Sequence, residues 1–263
     1  MRALLAVYFR VLCVGAATLG CAQAAEKVVD IPTRPGVTQR FLLISPPDAK
    51  AAVVLFAGGH GGLQMSETGA LQWGKGNFLV RSAPLFAAGR LGVAIIDAPS
   101  DRQSPPHLSG FRQTAEHAAD VKAVIAWLRE NTRLPVWLVG TSRGTQSAAA
   151  VATRLNAGEG PDGLVLSATI VADRWGRPVT EMALDTLKIP VLVVHHEQDG
   201  CRQTFYRDVP KLMAKLSAAP RKDLITFRGG VDQGNPCEAR AYHGFNGLEQ
   251  EVVARIAGWI TGQ

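Results

Sequence analysis

Residues 136–148 read VWLVGTSRGTQSA: an apolar run ends in Gly140-Thr141-Ser142-Arg143-Gly144, and the small residues 147–150 follow. A short, continuous apolar run bounded by glycine fits a strand buried on both faces. The small residues after it fit a helix packed closely on that strand. In a G-x-S-x-G turn of this kind the chain reverses sharply, so backbone segments approach where only glycine leaves room. The serine is then held at the tip as a nucleophile, and the N–H of the next residue, Arg143, points at a developing oxyanion. The same five letters also suit a helix-opening turn in which Ser142 only caps backbone donors. The rest of the chain has to supply or withhold the partners.

Working outward, the same apolar pattern recurs at 52–57 (AVVLFA), 92–97 (GVAIID), 164–167 and 189–195, each a candidate buried strand. Two shorter strands are expected at 26–31 and 39–44, separated by Pro32-Thr33-Arg34-Pro35-Gly36, which carries turn chemistry. Helices intervene. Over 114–131 Ala118, Val121, Val124, Ile125 and Leu128 recur at helical spacing, with Glu116 in the first turn and Arg129 in the last. Residues 247–260 form a second amphipathic pattern. Continuous apolar strands alternating with helices indicate an α/β domain with a mostly parallel sheet covered on both faces. No repeat, low-complexity tract or long linker interrupts it. The stretch 172–188 is long enough for a short lid but too short for a cap domain.

Reactive groups in open α/β sheets gather at the carboxyl ends of the strands. Those ends carry Gly58-Gly59-His60-Gly61-Gly62, Asp97, the Ser142 turn and His195-His196-Glu197-Gln198-Asp199. A serine hydroxyl is a poor nucleophile without a base. Of six histidines, only His243 lies in a late loop able to fold back over the strand ends after Ser142. That histidine needs a carboxylate to fix its tautomer and stabilise its cation. Asp199, beside Gly200, is the preferred acid, and Asp173 and Glu197 compete with it. The pair His195-His196 also invites a metal-dependent hydrolase, but adjacent strand residues point to opposite faces and do not readily share one ion. Asp97, Asp101, Arg102, Phe111 and Arg112 follow another strand end and are expected at the pocket rim. Arg102, Arg143 and Arg202 give the loops a positive bias that suits an anionic substrate.

The order Ser142, Asp199, His243, with a glycine-rich loop after an earlier strand, resembles the α/β-hydrolase superfamily over nearly all of the chain after residue 24. The resemblance implies an α/β-hydrolase fold and a serine hydrolase acting on carboxylic esters through an acyl-enzyme. Peptidases, amidases and thioesterases use the same machinery, and a non-catalytic hydrolase-like binding protein is the rival of another class. In that superfamily the early loop commonly reads H-G-x-G-G, with x lending its N–H to the oxyanion hole. Here Gly58 replaces the histidine and His60 stands at x, so His60 and Arg143 are the expected backbone donors, worth about 3 kcal/mol each in the transition state. This chemistry needs no cofactor and no metal.

The first 26 residues, MRALLAVYFRVLCVGAATLGCAQAAE, read as an export leader: Arg2 and Arg10 supply charge, 11–19 is apolar, and Ala22-Gln23-Ala24 fits a cleavage site. Arg10 leaves too few uninterrupted apolar residues for a transmembrane anchor. Gly20-Cys21 is an alternative lipoprotein site, disfavoured by Thr18. The expected organisation is a signal peptide at 1–24 and one domain at 25–263, in the periplasm or outside the cell. Cleavage removes Arg2 and Arg10, so the net charge falls from +6 to +4, with no basic run or stacking motif of the kind nucleic acid requires. It also leaves Cys201 and Cys237 as the two cysteines of a chain sent to an oxidising compartment, where a disulfide is expected. That bond would tie the acid loop to the histidine loop across about 36 residues, worth roughly 4 kcal/mol by chain entropy.

Overall fold

The computed structural model describes residues 24–155, 158–174 and 176–263. Residues 1–23, which hold Cys21 and all of the expected leader except Ala24, lie outside the described residues. Eight strands form one sheet: β1 (Ala25–Arg34), β2 (Val37–Ser45), β3 (Ala51–Phe56), β4 (Leu91–Ile96), β5 (Val136–Thr141), β6 (Gly163–Ser167), β7 (Val191–His196) and β8 (Lys222–Phe227). Their spatial order is β1-β2-β4-β3-β5-β6-β7-β8. The β1–β2 and β2–β4 pairs are antiparallel, and every other pair is parallel. Strand β5, which carries the Ser142 turn, thus sits between β3 and β6 in the middle of the sheet.

Alternation along the central strands divides the core in two, because successive side chains point to opposite faces. Ala52, Val54 and Phe56 of β3 join Val121, Val124 and Ile125 of one helix, α3 (Ala115–Thr132), and Ala148–Ala152 of another, α4 (Gly144–Arg154). Val53 and Leu55 face the other way, against α1 (Phe78–Arg81), α2 (Ala83–Ala88) and the last helix, α6 (Glu249–Thr261). A short helix, α5 (Val209–Lys215), with proline in its first turn, completes the first face. Thr114 caps α3 by accepting the His117 N–H, and Arg133 ends it in the left-handed region at φ 59°. Among the described residues no helix is long and apolar enough to cross a membrane.

Two features depart from expectation. β8 carries no strong apolar run: its first two residues are exposed and only Phe227 is buried, as befits an edge strand. The stretch 172–188 is not a lid. Val179, Met182, Leu184 and Leu187 sink into the core on two short 3-10 turns, so only its first few residues are left beside the strand ends. Burying four apolar side chains holds this segment down.

Candidate active site

Ser142 stands at the tip of the β5–α4 turn with φ 51°, a left-handed conformation that is costly for a residue with a Cβ. The flanking glycines explain how the turn is tolerated. A Cβ on Gly140 would stand 2.5 Å from the Gly144 oxygen, and one on Gly144 would strike the Phe56 carbonyl. Both glycines supply room and not φ freedom. The Ser142 N–H donates to Ser167 O of β6 at 3.1 Å, and its carbonyl receives the Thr145 hydroxyl at 2.6 Å, so the strained residue is pinned on both sides.

Ser142 and His243 line the same cavity, of about 280 Å³, together with Gly58, Gly59, Trp73 and Asn77. Gly58 faces the serine, since a Cβ there would come 3.0 Å from Ser142 Cβ. His243 is buried at 4% exposure, and its Nδ1 lies 3.0 Å from Asp199 Oδ2. Its other ring nitrogen, Nε2, is buried with no hydrogen-bond partner among the described residues, which leaves it for a group entering the cavity.

Asp199 is held from three directions. Its Oδ1 accepts the Cys201 N–H at 2.9 Å, and its Oδ2 accepts the Thr204 hydroxyl at 2.8 Å besides facing His243. Burial pushes the carboxyl up, but the His243 hydrogen bond and charge together with the Cys201 amide outweigh it and hold Asp199 below the ordinary aspartate value. The competing acids are occupied elsewhere. Asp173 pairs with Arg143 at 2.9 Å, and Glu197 pairs with the exposed Arg228. A Cys201–Cys237 disulfide, Cα–Cα 4.6 Å, ties the Asp199 loop to the segment leading into His243.

No family model matches this sequence, and no curated protein matches it. Solved structures do, at low sequence identity. An esterase of Pyrococcus furiosus superposes with TM-score 0.64 at 13% identity, over 91% of each chain. A fungal esterase from Rhizomucor miehei gives TM-score 0.64 at 15% identity, over 93% of this chain and 84% of its own. A serine hydrolase without lid from Xanthomonas campestris gives TM-score 0.55 at 17% identity, over 89% of this chain and 95% of its own. This chain has the α/β-hydrolase fold.

Within that α/β-hydrolase frame several sequence expectations shift. His60 does not line the Ser142 cavity. Its ring lies between Trp73 (3.8 Å) and His107 (4.4 Å) and faces a second cavity, while Gly59 lines both. Burial, with His107 and Arg112 nearby, lowers its pKa. Asp97 is not a rim residue. It is 2% exposed, and its carboxylate accepts the N–H groups of Leu63, Gln64, Met65 and Ala98 at 2.6–3.2 Å, which fixes the chain just beyond the glycine loop. Arg102 lies outside both cavities, with its guanidinium 4.6 Å from the Phe111 ring centre. Arg112 does line the second cavity, but it is buried and not on the rim.

The two strand-end histidines go separate ways. His196 places Nε2 2.9 Å from Gly229 O, accepts the Gln198 N–H on Nδ1, and stacks on Tyr242 at 4.4 Å. His195 is fully buried, and burial lowers its pKa to about 4. Thr204, which touches both Asp199 and His243, was not singled out by sequence (its hydroxyl is 3.1 Å from His243 Nδ1). No motif marks a threonine whose contribution is a hydroxyl hydrogen-bonded to the acid of an acid–histidine pair.

Proposed function

We propose that this protein is an exported serine hydrolase that cleaves carboxylic esters of small molecules. One observation carries the reading: a serine strained at the tip of a strand-to-helix turn shares a cavity with a histidine whose far ring nitrogen is bound to a buried carboxylate. In the forward step Ser142 Oγ bonds to the ester carbonyl carbon as His243 Nε2 takes its proton. Asp199 holds the imidazole in the tautomer with Nδ1 protonated and stabilises the cation that forms. The tetrahedral intermediate then breaks its bond to the alcohol oxygen, which leaves with the proton from His243. Water, activated by the same ring, releases the acid from Ser142.

The oxyanion donors in this reading are the backbone N–H groups of Arg143 and Gly59. Gly59 replaces the expected His60 because it lines the serine's cavity and His60 lines the next one. Export fits a disulfide that joins the two loops carrying the acid and the base.

Hydrolysis of short p-nitrophenyl esters by purified protein tests the reading. Turnover by the wild type that falls by at least about 10⁴-fold in Ser142→Ala is expected. Full activity in Ser142→Ala would remove the serine mechanism, and no turnover of any ester would favour a binding protein on the same fold.

A further inference from the structure

Behind Gly59, the wall it shares with the serine cavity, lies a second cavity of about 420 Å³. Three arginines line it, Arg112, Arg143 and Arg177, against a single acidic residue, Asp173. Asp173 is engaged by Arg143 at 2.9 Å and by the Gln146 amide at 2.9 Å. Arg112 is the unusual member. It is only 5% exposed, yet among the described residues no carboxylate lies within ion-pair distance of it.

All its partners are neutral. Nη1 donates to the Ser147 hydroxyl at 2.9 Å, and Nη2 donates to the carbonyls of Ala57 and Gly59 at 3.1 Å each. Those bonds use three of the five N–H groups that a guanidinium carries. A cation buried without its counter-charge is costly, and structures normally bury arginine only when it is paired. Burial, with the Arg143 charge added, pushes the Arg112 pKa down to about 9, so it still carries its proton at neutral pH.

We propose that this cavity holds a carboxylate belonging to the substrate, which makes the enzyme selective for esters with an acidic arm a few bonds from the scissile carbonyl. The assignment rests on Ser142 being the nucleophile next door. The arm's carboxylate supplies the charge that Arg112 lacks and meets Arg143 and Arg177 at the cavity wall. The tie from Arg112 to the Gly59 carbonyl joins the anion subsite to the loop that borders Ser142.

The test compares mono-p-nitrophenyl glutarate with p-nitrophenyl valerate, acyl chains of equal length that differ by a terminal carboxylate. The wild type is expected to favour the glutarate ester in kcat/KM by about tenfold or more, as charge-assisted hydrogen bonds imply. Arg112→Gln and Arg177→Gln should each reduce that ratio at least threefold. Because the quantity read is a ratio, general loss of activity in Arg112→Gln does not obscure it, and Arg177→Gln carries the test if Arg112→Gln does not fold. A wild-type ratio near one overturns the subsite and leaves the hydrolase reading standing. In a protein that turns over neither ester, calorimetric binding of glutarate decides. Binding that weakens in Arg177→Gln keeps the subsite and removes the hydrolase reading, and no binding removes both.

Discussion

The serine and the histidine of this site are held in opposite ways. Ser142 sits where β5, the middle of the sheet, enters α4, and every residue of 144–152 is buried. Its position follows from local backbone packing, with Gly140 and Gly144 pressed against neighbouring backbone. His243 ends a segment whose residues 228–238 are all exposed. That segment is secured at separate points: the Cys201–Cys237 bond, the Arg81 guanidinium donating to Gly244 O at 2.7 Å, and Phe245 packed against Phe78 and Phe227. Ser142 is thus held by close backbone packing at the centre of the sheet, and His243 by a few separate anchors on an exposed segment. Damage to the first should break the fold around it, and damage to the second should break activity first.

The largest expected effect removes the base. His243→Gln should lower kcat by about 10⁴-fold or more while thermal unfolding stays near wild type, because the loop's anchors remain. A large loss of Tm would show that the imidazole itself holds the loop. Gly144→Ala should show the reverse pattern. Its methyl group meets the Phe56 carbonyl, so a loss of about 1–3 kcal/mol or more in stability is expected by chemical denaturation.

Replacing both Cys201 and Cys237 by serine frees the histidine segment. The expected cost is about 2–4 kcal/mol of stability, with activity lost at lower temperature than the global unfolding transition. Coincident loss of activity and structure would mean that the segment is not a separable unit. Thr204→Val leaves every anchor in place but removes the hydroxyl shared by Asp199 and His243. A drop of about tenfold in kcat is expected, with KM little changed.

The smallest effect lies away from the site. His117 is 2% exposed between Phe56 and Phe111, neither ring nitrogen has a partner, and burial lowers its pKa to about 3. The unfolded chain therefore binds a proton near pH 6.5 that the folded one refuses until about pH 3. Its neutral ring contributes stability in full above pH 6.5, and that stability drains away as pH falls through this window. His117→Phe should raise stability at neutral pH by about 1–2 kcal/mol and flatten its decline towards pH 4. A lower stability in the variant would show that the imidazole has a partner after all.

The same contrast governs what could be read from the sequence. The turn around Ser142 was legible because a continuous apolar strand, two glycines and a run of small residues lie together. The chain order singles out Asp199 and His243 and leaves two cysteines beside them, and the structure brings that aspartate and histidine together with a Cys201–Cys237 bond between their loops. What was misread depends on contacts distant in sequence. Asp97 ends a strand as a pocket residue does, but three backbone amides distant in sequence, those of Leu63, Gln64 and Met65, claim its carboxylate together with that of its neighbour Ala98. β8 was missed because an edge strand needs no apolar run, and α5 because proline and polar residues obscure so short a helix. The glycine-rich loop was legible from its four glycines, but where the His60 ring goes depends on Trp73 and His107, partners that no local pattern marks.

Activation of Ser142 by His243 is read directly by treating the folded, oxidised protein with a fluorophosphonate and locating the adduct by peptide mass spectrometry. One adduct is expected, on Ser142, formed at least about 100-fold more slowly in His243→Gln. An adduct on a different residue, or none on folded protein with the Cys201–Cys237 bond intact, would contradict it.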